Sequence, residues 1–71
     1  MMSDFDVSTE YKLQALQQRL EALNVEGWHN EEAKTLATAL GNSEEADRLT
    51  ANIVVIKNAI VVVQQQIDDL A

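Results

Sequence analysis

Between Ile53 and Val63 the chain reads IVVIKNAIVVV; nine of these eleven residues are apolar, and eight of the nine are β-branched. In a helix those side chains point to more than one face, and a chain of 71 residues has few other elements with which to cover them. β-Branched runs also suit strands, so a hairpin of IVVI and AIVVV turned at Lys57-Asn58 is the rival arrangement. Lys-Asn is a poor hairpin turn beside Asn-Gly. A longer period favours the helix. Leu49, Ile53, Ile56, Ile60, Val63, Ile67 and Leu70 recur at 4-3-4-3-4-3 spacing, a heptad with isoleucine at its three full a positions. Val54, Val55, Val61 and Val62 then fall at b and c, on the side away from that seam.

Proline is absent, and Gly27 and Gly41 are the only glycines. Taken as breakers, they divide the chain into three helices at about 8–26, 30–40 and 43–70, behind an acidic flexible N-terminal tail over residues 1–7. In the first helix, Ser8 or Thr9 can cap the free N–H groups, and Leu13, Leu16, Leu20 and Leu23 share one stripe. In the second, Asn30 is the expected N-cap. Glu31 and Glu32 suit the positive end of its dipole, and Gly41 suits the left-handed position after its last turn. Ala33, Leu36, Ala37 and Leu40 would form its apolar face, with Trp28 folded back on this helix or a neighbour. Ser43 would cap the third helix, whose 28 residues reach about 42 Å at 1.5 Å each.

A chain this short buries only about 60% of the surface its unfolded form exposes, so a lone copy is marginal. Small folds compensate with disulfides, metals or association. There is no cysteine and His29 is the only histidine, which leaves association. Twelve acids against five bases give a net charge of −7. That balance opposes phosphate binding, because Lys and Arg supply nucleic-acid affinity, and it opposes docking on anionic membranes. The segment MMSDFDV lacks the basic and apolar regions of a signal peptide. The valine run, interrupted by Lys57 and Asn58, is too short to cross a bilayer. The expectation is a cytoplasmic protein.

Candidate chemical sites have simpler readings. His29 with Glu31 and Glu32 lacks the second histidine or cysteine zinc normally takes; the adjacent acids diverge on a helix and read as a solvated helix start. Asp4 and Asp6 alternate like the opening of a calcium loop that has neither its glycine nor its closing glutamate. Ser3, Ser8 and Ser43 sit where caps or tails belong, and no Gly-rich phosphate loop occurs. No catalytic residue, metal ligand or cofactor is therefore assigned. Leu36-Ala37, Leu40-Gly41 and Ser43 resemble the turn of helix-turn-helix DNA-binding proteins over eight residues. The following helix opens Glu44-Glu45-Ala46-Asp47, which repels phosphates, and it runs far longer than a recognition helix. Gly41–Ser43 therefore reads as a tight helix–helix turn.

The expected protein is thus all-α: two shorter helices and one long C-terminal helix, associating as a helical bundle or coiled coil. Leu13, Leu16, Leu20, Leu23, Trp28, Leu36 and Leu40 would pack within one chain. Leu49, Ile53, Val54, Val55, Ile56, Ile60, Val61, Val62, Val63, Ile67 and Leu70 would carry self-association into a dimer, trimer or tetramer. The expected function is a non-enzymatic protein–protein interaction or assembly module, similar in general form to small coiled-coil accessory proteins of phages and bacteria. The alternative is an acidic nucleic-acid mimic inhibiting a DNA- or RNA-binding enzyme, carried by Glu31, Glu32, Glu44, Glu45 and Asp47 around the two turns.

Overall fold

The computed structural model describes residues 5–71. It contains two α-helices rather than three: α1, Thr9–Ala39, and α2, Ser43–Leu70. They pack antiparallel as a hairpin, about as long as its helices, with principal extents of 50 × 18 × 18 Å. Its radius of gyration is 16.0 Å, where a compact domain of this length has about 11 Å. Residues 1–4 of the expected N-terminal tail, with Ser3 and Asp4, lie outside the described residues.

The three-helix expectation fails at Gly27, which lies inside α1. A glycine in a helix interior costs about 1 kcal/mol relative to alanine, which weakens a helix without ending it. Nothing nearby adds to that cost, because no proline follows. Asn30 is likewise not a cap. Its Nδ2 donates to the Glu26 carbonyl one turn back at 2.8 Å, as Asn24 Nδ2 does to Leu20 at 3.0 Å. The leucine stripe also continues through the glycine in phase. Leu13, Leu16, Leu20, Leu23, Gly27, Asn30, Lys34 and Ala37 keep one 3-4 rhythm, and all are partly or fully buried. An α2 of 28 residues is thereby matched along its length by one helix of 31.

Phase also decides which apolar residues of the supposed second helix are covered. Ala37 is buried, whereas Leu36 is 62% and Leu40 75% exposed. Ala33 is exposed as well. These residues share a helical face with one another but lie off the seam set by Leu13–Leu23. Trp28, expected to fold back, is 58% exposed, with its ring edge-to-face to that of His29 at 5.1 Å between centroids.

The caps are local and well formed. Ser8 Oγ accepts from the Tyr11 N–H at 3.2 Å and starts α1. At the other end Gly41 adopts φ +73°, open to glycine and strained for other residues. The Asn42 N–H then donates to the Ala37 carbonyl at 2.8 Å and the Gly41 N–H to the Thr38 carbonyl at 3.1 Å, a Schellman turn. Asn42 serves both helices. Its Oδ1 accepts from the Glu45 N–H at 3.2 Å, so Asn42, and not the expected Ser43, caps α2.

The core is one seam wide. Ala37, Ala46, Leu49, Ile56 and Val63 are its buried residues, and the first three cluster beside the turn. Small side chains there bring the helices together, while Leu13, Leu16, Ile67 and Leu70 fill the open end. Gly27 faces α2 directly. A Cβ at that position would lie 3.5 Å from Ile56 Cγ2, an ordinary van der Waals contact. Gly27→Ala should therefore stabilise the hairpin, through helix propensity and a less flexible unfolded chain, by about 1 kcal/mol. The expected thermal midpoint rises by roughly 4–8 °C at fixed protein concentration. A fall would show that the helices need the glycine for closer approach than this spacing.

Candidate interaction surface

Two opposite faces of α2 are apolar. The inner face consists of Ala46, Leu49, Ile53, Ile56, Ile60, Val63, Ile67 and Leu70, all buried or partly buried against α1. Of the residues expected to associate, Leu49, Ile53, Ile56, Ile60, Val63, Ile67 and Leu70 thus face the neighbouring helix of the same chain. The outer face carries Val54, Val55, Val61 and Val62, which are 53%, 66%, 63% and 56% exposed. At 100° per residue, heptad positions b, f and c lie opposite the a/d seam. Ala51, Asn58 and Gln65 occupy the intervening f positions and are exposed. They complete one stripe from residue 51 to residue 65. The valines were evident from the heptad; the role of Ala51, Asn58 and Gln65 in closing the gaps needed the outer face to be traced as a row of its own.

Charge is arranged around this stripe. From Thr50 to Ile67, Lys57 is the only charged residue. The acids of α2 sit at its ends, with Glu44, Glu45 and Asp47 near the turn and Asp68 and Asp69 near the C-terminus. Two of these are engaged locally. Arg48 holds Glu45 in a bidentate pair, with Nε donating to Oε2 at 3.0 Å and Nη2 to Oε1. That hydrogen bonding holds the Glu45 carboxyl below its ordinary pKa and raises the Arg48 guanidinium in turn. The pair is solvent-exposed, so water screens it and it adds little to stability. Gln64 Nε2 donates to Asp68 Oδ1 at 3.1 Å.

The outer side of α1 is less uniform. Tyr11, Val25, Trp28 and Leu36 are exposed there at 50–64%, interspersed with Gln18, Glu21, His29 and Glu32. Leu13, Leu16, Leu20 and Leu23 are partly buried on the seam, while Trp28, Leu36 and Leu40 stand outside it. Continuing the leucine count past Gly27 would have identified Asn30, Lys34 and Ala37 as the residues facing α2 in their place.

No group of three or more His, Cys, Asp or Glu side chains among the described residues could hold a metal ion. No helix of the described residues is long and apolar enough to cross a membrane. Comparison with protein-family models, with curated proteins and with solved structures finds no match to this chain.

Proposed function

We propose that this chain is a non-enzymatic interaction module of the cytoplasm: a helical hairpin that associates with itself and offers an acidic, helical surface to another protein. The observation that carries this reading is the two-sided character of α2. A helix apolar on opposite faces is a helix with neighbours on both sides, and α1 covers only one. The four outer valines, each at least half exposed, form with Asn58 between them one row on a rod with a core one seam wide. Covering them supplies the apolar burial that a chain of this length lacks by itself.

Sedimentation equilibrium at micromolar concentration tests the reading. The expected result is a mass at least twice the 7.9 kDa of the chain, little changed between low and high salt, because apolar burial dominates the contact. A mass of 7.9 kDa across the concentration range would refute it. Partner binding that weakens steeply with added salt would favour the acidic nucleic-acid mimic instead.

A further inference from the structure

We infer that the outer face of α2 pairs antiparallel with the same face of a second copy, about a two-fold axis passing beside Asn58. This rests on the self-association proposed above and specifies its geometry. The valines of the stripe are placed symmetrically about residue 58. Val55 and Val61 lie three residues to either side, Val54 and Val62 four, and Ala51 and Gln65 seven. A two-fold interface requires one patch to complement itself, residue i meeting j and j meeting i. An antiparallel pair centred on Asn58 meets that condition: Val54 lies opposite Val62 of the second copy, Val55 opposite its Val61, and the two Asn58 amides face each other.

Charge separates this arrangement from the parallel one. In-register parallel helices would set Asp47, Arg48, Asp68 and Asp69, which continue the b and c positions of the stripe, each beside its own copy as a like-charge contact. The antiparallel pair places Arg48 at the level of Asp68 in the second copy and opposes the helix dipoles. Asp47 at the level of Asp69 remains a like pair, out at the ends of the contact. The central stretch, free of acids, is where two chains of charge −7 can approach. The contact is a small one: eight valines, each 53–66% exposed on the single hairpin, with Ala51, Asn58 and Gln65 of both copies, bury at most about the 1,200 Å² at which specific interfaces begin. Asn58 gives register, since a polar residue at the centre of the stripe, between the two valine pairs, penalises alignments that leave it against valine.

The absence of cysteine makes disulfide trapping clean. Val54→Cys and Val62→Cys chains, purified separately and oxidised as a mixture, should form the mixed covalent dimer in at least tenfold excess over either self-dimer. Asn58→Cys should cross-link to itself. Self-cross-linking of Val54→Cys at a rate matching the mixture would establish parallel pairing and overturn the proposal. So would non-covalent dimers that trap at none of these positions, which would place the contact on another face; in both cases self-association itself would stand. Sedimentation of the unoxidised variants at 7.9 kDa, with native protein also at that mass, would remove both the pairing and the association on which it rests.

Discussion

Ile56→Asp should abolish the folded hairpin, with helical ellipticity at 222 nm falling to that of an unfolded chain at 25 °C. Ile56 is 6% exposed and lies at the middle of the seam, against Gly27. The glycine offers no side chain to shift aside and no donor to bond the carboxylate. Removing the isoleucine alone forfeits about 2–5 kcal/mol, and an unpaired buried carboxylate adds several more. A single core in a chain of this size supplies about 3–5 kcal/mol in all. Lys57→Asp is the matched control, because residue 57 is exposed one position along the same helix. It should change the thermal midpoint by only a few degrees. If Ile56→Asp melts with the control, the centre of the seam lies elsewhere.

The seam that makes Ile56 decisive was readable in the sequence, and its partner strip only as far as Leu23. In α2 the inward positions are Leu, Ile and Val, so the 4-3 rhythm is visible from Leu49 to Leu70. In α1 the same rhythm is written in leucine only as far as Leu23. It then passes to Gly27, Asn30, Lys34 and Ala37, residues that hydropathy does not mark as interior. Each has a physical licence to be there. Gly27 faces Ile56 at only a small cost in helix propensity, Asn30 satisfies its amide on the Glu26 carbonyl, and the Lys34 stem can lie along the seam with its amine in water. Meanwhile Leu36 and Leu40, the strongest apolar signals of that region, are out of phase and exposed. The two glycines look alike in the sequence, but only one of them ends a helix. Backbone conformation separates them: Gly41 needs its positive φ to turn the chain, and Gly27 has no such need.

The outer valines were legible for the same reason as the seam, since the IVVI and VVV runs leave apolar residues outside the a/d positions whichever register is chosen. What covers them lies beyond a single chain, and the sharpest consequence concerns the double variant Val55→Glu/Val62→Glu. Both side chains are more than half exposed on the hairpin and neither reaches the seam. Glutamate also has a better helix propensity than valine. The substitution should therefore leave the α1–α2 packing itself unaltered. Across a two-fold contact it introduces four carboxylates, each facing a valine of the other copy in a stretch without acids. Desolvating even part of that charge costs several kcal/mol, against the modest burial of eight valines. Association should weaken by at least about 1,000-fold, equivalent to about 4 kcal/mol, leaving a 7.9 kDa species at micromolar concentration. Thermal melting supplies an independent readout. The midpoint of native protein should rise with concentration, because association stabilises the folded chain by mass action. The midpoint of the variant should lie lower and be independent of concentration. A variant that sediments and melts as the native protein does would exclude the outer face of α2 from assembly, and would leave its four exposed valines without the role assigned to them.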